Sequence, residues 1–133
     1  MSSTTTSLPM LRNEKDLHSY DSGQTIFGEG DPGEFMYAVT DGEVDIVRQG
    51  RLIETLQAGA IFGEMALVDK SPRSAAAVAC TDCTVARISP QRFMQLTQLT
   101  PHFALQVMAI MAGRLRRQMA AGDQSADLDS HGG

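Results

Sequence analysis

Apolar and polar positions follow two rhythms along this chain, and the rhythm changes once, near Pro90. From about residue 14 to 89, short apolar stretches alternate with clusters of turn-forming residues. Thr25-Ile26-Phe27, Phe35–Val39, Val44–Val47, Leu52–Leu56, Ala75–Ala79 and Thr84–Ile88 are each the length of a short strand. Between them lie Gly28–Gly33, Asp41-Gly42, Gln49-Gly50, Ala58-Gly59 and Thr81-Asp82, where Gly and Asp supply the backbone freedom that turns need. Asp41-Gly42 reads as a two-residue hairpin joining its neighbouring strands. Strands this short and this evenly spaced predict a mainly β fold, an antiparallel β-roll or double-stranded jelly roll.

After Pro90 the turn clusters stop. Ser89-Pro90 offers an N-cap and a first-turn proline, and Phe93, Leu96 and Leu99 recur at helical spacing. Thr100-Pro101 repeats the start signal for a second helix, expected to run to about Ala121 and to stop at Gly122. On it Leu105, Met108, Ala112, Leu115 and Met119 form a heptad-like seam, while Phe103, Val107, Ile110 and Met111 occupy other faces. A helix that packs only on its own domain uses one apolar stripe, so the second stripe predicts another partner. The expected organisation is a flexible lead-in over 1–13, one domain over 14–121 (β-roll 14–89, helices 90–121), and a disordered polar tail over 122–133.

The length of 133 residues suits one domain, and 42% apolar residues suffice for a core without metals or disulfides. A net charge of −5 argues against a nucleic-acid binder, which needs a basic face. Cys80 and Cys83 are too few for a disulfide framework; with only His18, His102 and His131 to join them they read as ordinary cysteines flanking a strand turn, and no His-x-His cluster offers a metal face. No apolar run approaches the roughly 20 residues of a membrane span. Met1–Ser7 has neither a basic nor an apolar region of the secretory kind, so the expected home is the cytoplasm.

Candidate chemistry is concentrated between Phe62 and Ala79. Gly63 permits an unusual dihedral, and Glu64–Val68 are helix formers long enough for about a turn and a half. The free N–H groups at the start of that helix attract an anion. Asp69–Pro72 loops back, and Arg73 begins the next strand, where its guanidinium completes a two-sided phosphate clamp. Glu64 is wrong for phosphate but right for accepting a hydrogen bond from a sugar hydroxyl.

Phe62, Gly63, Glu64, Ala66, Leu67, Pro72, Arg73, Ser74 and Ala75 together resemble the phosphate-binding cassette of the cyclic-nucleotide-binding domain family, which includes the catabolite activator protein and protein kinase A regulatory subunits. Ile26–Glu34, Met36-Tyr37 and Asp41–Val44 extend the resemblance to roughly residues 20–120. The resemblance implies that Glu64 accepts the ribose 2′-hydroxyl and that Arg73 pairs with the phosphate oxygens. It further implies that Ser74 donates its hydroxyl to the phosphate, that Ala66 and Ala75 add backbone N–H groups, and that Gly63 and Met65 line the sugar side, with Pro72 shaping the loop. Gln118, on the last helix, would reach the base edge, or Arg114 or Arg117 would stack on it. The ligand implied is cAMP, with cGMP as the other choice.

Three features depart from the family pattern: a short or absent helix before Asp21, Ala76 where kinase-type members carry Thr, and no DNA-reading helix-turn-helix after the last helix. Homodimerisation through that helix is implied, with output to a protein effector. No nucleophile–base pair or catalytic carboxylate pair is legible, so a sensor is expected rather than an enzyme. The other readings are a ligand-free β-roll scaffold or dimerisation module, an excised regulatory domain, and a cupin-like metal enzyme, which the ligand shortage disfavours.

Overall fold

The computed structural model describes residue 11 and residues 13–132 apart from residue 70, with side chains described as far as residue 120. Eight strands come first: β1 (Leu17–Tyr20), β2 (Thr25–Phe27), β3 (Met36–Asp41), β4 (Val44–Arg48), β5 (Arg51–Leu56), β6 (Ile61–Phe62), β7 (Ala76–Ala79) and β8 (Cys83–Ile88). A 3-10 helix, Glu64–Leu67, interrupts them, and helices α1 (Pro90–Leu99) and α2 (His102–Gly132) follow. The strands form two antiparallel four-stranded sheets, ordered β1-β8-β3-β6 and β2-β7-β4-β5. This is the β-roll with C-terminal helices that the strand and helix rhythms predict.

Two turns play a different part from the expected one. β3 pairs with β6 and β8, whereas β4 pairs with β5 and β7, so Asp41-Gly42 carries the chain from one sheet to the other instead of closing a hairpin. Gly42 has φ +78°, the same left-handed conformation a hairpin would demand, so sequence chemistry alone does not separate the two. The second crossover, between β7 and β8, lies against the first: Cys80 N–H donates to Glu43 O at 3.0 Å, and Glu43 N–H donates to Thr81 Oγ1 at 3.0 Å. Gln49-Gly50 is a true two-residue hairpin. Both residues have positive φ, +52° and +77°, and Arg48 faces Arg51 directly.

In the first sheet β3 and β6 are buried on both faces, whereas the edge strand β1 is partly exposed. Tyr37 and Val39 of β3 join Val44, Leu56, Phe62, Ala77 and Val85 between the sheets. Met36 and Ala38 point the other way and pack with Ile61, Ile88, Leu96, Phe103, Val107 and Ile110 beneath the helices. Ser89 caps α1 by accepting from Arg92 N–H at 3.0 Å.

The expected boundaries fail at both ends. Leu11, assigned to a flexible lead-in, is 1% exposed and belongs to the core under the helices. Glu14, the first residue of the expected domain, is buried and receives two hydrogen bonds from Arg92, both 2.9 Å, which tie it to α1. Residues 1–10 lie outside the described residues. At the other end α2 continues through Gly122 to Gly132, so neither the helix stop nor the disordered tail appears in the backbone. A mid-helix glycine costs about 1 kcal/mol relative to alanine, too little by itself to end a helix.

Candidate ligand-binding site

β6 delivers Gly63 at φ +71°, and this left-handed residue turns the chain into the 3-10 helix. That helix is one tight turn, shorter than the expected α-helical turn and a half, and Ala66 N–H closes it on Gly63 O at 3.2 Å. The Ala66 donor expected to be free is therefore engaged. After the loop, the Arg73 backbone is clamped to the Gly28–Gly33 turn: its N–H donates to Asp31 O, and its carbonyl accepts from Gly30 N–H, both at 2.8 Å. The dense turn cluster thus fixes where Arg73 begins.

The Arg73 side chain turns inward and is only 9% exposed. Nη1 donates to Gly63 O at 3.0 Å and Nη2 to Phe35 O at 2.8 Å. The guanidinium lies 4.1 Å from the Phe27 ring centre, with Tyr37 at 5.8 Å. Among the described residues no carboxylate forms an ion pair with it, and its buried Nε has no acceptor. Burial pulls its pKa below the usual guanidinium value. A surface arginine in an ordinary ion pair would show none of these features. Two glycines leave the room it occupies: a Cβ on Gly33 would sit 2.7 Å from Nε, and one on Gly63 would sit 2.7 Å from Nη1.

Glu64 is also buried, at 8% exposure. Arg114 of α2 donates from Nη1 to Glu64 Oε1 at 2.7 Å and from Nη2 to Ile61 O, and its Nε lies 3.9 Å from Glu54 Oε1. The long helix is thereby fastened to the cassette. Only stacking was expected of Arg114. Fifty residues of intervening chain hide the pairing, and the visible hint was a cation on the helix that follows the cassette.

These elements line an open cavity of about 950 Å³. Gly63, Glu64, Met65, Ala66, Pro72, Arg73, Ser74, Ala75 and Gln118 all line it, so the residues expected from the sequence to contact a ligand are brought to one place. Sequence reasoning missed the apolar wall of Phe27, Ile46, Leu52 and Ile53, whose strand patterns look like ordinary core. Cys83 is buried and its thiol pKa is pushed up, chiefly by desolvation. Among the described residues no group of His, Cys, Asp or Glu is arranged to hold a metal ion, and no helix is long and apolar enough to cross a membrane.

A buried cation in the lining of a cavity, a buried carboxylate in the same lining and a helix that contributes Arg114 and Gln118 to it form a distinctive set. Residues 17–99 match the family model described as the cyclic nucleotide-binding domain. The chain belongs to that family. Within it, the domain is 36% identical over 102 residues to the cyclic AMP receptor protein of Thermus thermophilus, covering 73% of this chain and 47% of that protein. It is 40% identical over 83 residues to a cAMP-dependent protein kinase regulatory subunit of Aspergillus niger, covering 61% of this chain and 20% of that one. In three dimensions it is similar to the Thermus thermophilus catabolite activator protein, with a TM-score of 0.79 and 31% identity over 89% of this chain and 58% of the other. The domain spans half or less of the length of these curated relatives.

Proposed function

We propose that this domain binds a cyclic nucleotide, cAMP in preference to cGMP, and relays the binding event through α2 to a partner protein. The observation that carries the reading is Arg73: a buried guanidinium in the lining of the cavity, held by two carbonyls and an aromatic face, with its buried Nε left without an acceptor. A buried unsatisfied donor is costly, and a phosphate oxygen would relieve it. Ser74 and the Ala75 N–H stand beside it as further phosphate donors, Glu64 takes the ribose 2′-hydroxyl, Met65 and Gly63 flank the sugar, and Gln118 meets the base edge. The preference for cAMP rests on what the two relatives above are named for.

The relay follows from Arg114. A ribose hydroxyl arriving at Glu64 meets the carboxylate that fastens α2, so ligand and helix share one anchor. Binding then shifts the helix equilibrium by the difference in ligand affinity between its positions. Leu105, Met108, Leu115 and Met119 are each more than half exposed and form the seam through which two copies would associate. The free thiols Cys80 and Cys83 suit a cytoplasmic setting.

The test is isothermal titration with cAMP and cGMP, comparing wild type with Arg73→Gln. Binding at micromolar or tighter concentration, weakened at least tenfold in the variant, supports the reading. A folded, ligand-free protein that gives no heat with either nucleotide contradicts it. A dimer that persists through α2 without ligand binding favours a scaffold.

A further inference from the structure

The cavity carries more positive charge than one cyclic phosphate requires. Arg73 accounts for the phosphate, and Arg114 is engaged by Glu64 and Glu54. Three more arginines line the same cavity: Arg117 on α2 and, on the sheet, the pair Arg48 and Arg51. Arg48 and Arg51 face each other across the β4–β5 hairpin, and the two-residue turn at Gln49-Gly50 holds them side by side. Directly opposed cross-strand residues have Cβ atoms about 5 Å apart, and like charges there are destabilising. Among the described residues neither has a carboxylate partner within ion-pair distance. Arg48 Nε is buried without an acceptor. In a chain of net charge −5, acids are plentiful enough to have neutralised such a pair.

We infer that Arg48 and Arg51 form a second anion subsite, and that the cavity admits a nucleotide carrying two separate phosphates, a cyclic dinucleotide. This rests on the proposed function of the same cavity. The spacing selects the ligand. Arg73 precedes β7, whereas Arg48 and Arg51 lie on β4 and β5, the next two strands of that sheet. Adjacent strands are about 4.8 Å apart, so the Arg51 backbone is on the order of 10 Å from the line of β7. Contiguous phosphates of a linear nucleotide would crowd at one end of such a site, while the two phosphates of a cyclic dinucleotide are held apart by its sugars. The volume of about 950 Å³ is near the upper end of small-molecule cavities, roughly 300–1,000 Å³.

The experiment compares titrations of cyclic di-AMP, cyclic di-GMP, cAMP and cGMP into wild type and the double variant Arg48→Gln/Arg51→Gln. The expected result is that a cyclic dinucleotide binds at least tenfold more tightly than its mononucleotide, with the ratio falling to about one in the variant. Thermal melting without ligand supplies a folding control, and it should hold or rise slightly because a like-charge pair is removed. Mononucleotide binding equal to or tighter than dinucleotide binding overturns the inference and leaves the cyclic-nucleotide reading intact. A preference for both guanine ligands over both adenine ligands, lost in the variant, also overturns it, because the arginines would then be reading guanine O6 and N7. No binding of any of the four overturns both readings.

Discussion

Replacing Arg114 with Met tests how the long helix is fastened to the cassette. Arg114 and Glu64 side chains are 14% and 9% exposed, so their 2.7 Å contact is largely shielded from water. Arg114 also satisfies the carbonyl of Ile61. Removing one partner of a buried pair costs about 3–5 kcal/mol, because the other charge is left uncompensated. Slight exposure of both side chains places this pair at the lower end, about 3 kcal/mol. At about 4–8 °C per kcal/mol for a domain near 100 residues, the melting temperature should fall by roughly 12–24 °C. Glu64→Gln alone should cost less, since the amide still accepts a hydrogen bond. The double variant Glu64→Gln/Arg114→Met should lose far less than the sum of the two, and urea unfolding of all four proteins gives the coupling directly. Additive losses would refute the idea that these two residues act as one fastening.

Other consequences follow from single contacts. If Glu64 accepts the 2′-hydroxyl, 2′-deoxy-cAMP should bind roughly 10- to 100-fold more weakly than cAMP, since a hydrogen bond to a charged group is worth about 1.5–3 kcal/mol; equal affinity by titration would remove Glu64 from that role. Gly33→Ala should weaken cAMP binding, because its Cβ would sit 2.7 Å from Arg73 Nε, whereas a Cβ on Gly30 meets nothing within 4 Å, so Gly30→Ala should lose stability through its φ of +87° while sparing affinity. Asp16 has its pKa held below the usual value, chiefly by the hydrogen bond from Arg87 Nε at 3.1 Å. A depressed carboxylate stabilises the fold above its unfolded pKa of about 3.9 and loses that contribution as pH falls through the folded value. The stability advantage of wild type over Asp16→Asn should therefore be full at pH 6 and shrink below about pH 4; a pH-independent difference in urea midpoints would contradict this.

The legible and illegible parts of this fold divide by range of interaction. Strands, the Gln49-Gly50 hairpin and the Ser89 cap depend on neighbouring residues, and each is visible in the local pattern. So are Gly63, Glu64 and Arg73, which lie within eleven residues of one another. The pairing of strands is not local: Gly42 needs positive φ whether it closes a hairpin or crosses between sheets, so the sequence read as a hairpin what the sheets use as a crossover. Leu11 looks like part of a polar lead-in because the surface it covers is built from β3, β8 and the helices. Arg114 is legible as a cation on the last helix, but its tie to Glu64 depends on where α1 sends α2. The Arg73 environment combines both cases, since its position is local while Phe27, Phe35 and Gly33 reach it from an earlier stretch of chain.

A crystal structure of the domain with cAMP would show whether Arg73 and Glu64 hold the nucleotide. The cyclic phosphate should lie within hydrogen-bond distance of the Arg73 guanidinium, with Nε no longer orphaned, and the ribose 2′-hydroxyl on Glu64. A nucleotide seated elsewhere, with Arg73 still bonded only to the carbonyls of Gly63 and Phe35, would contradict this placement.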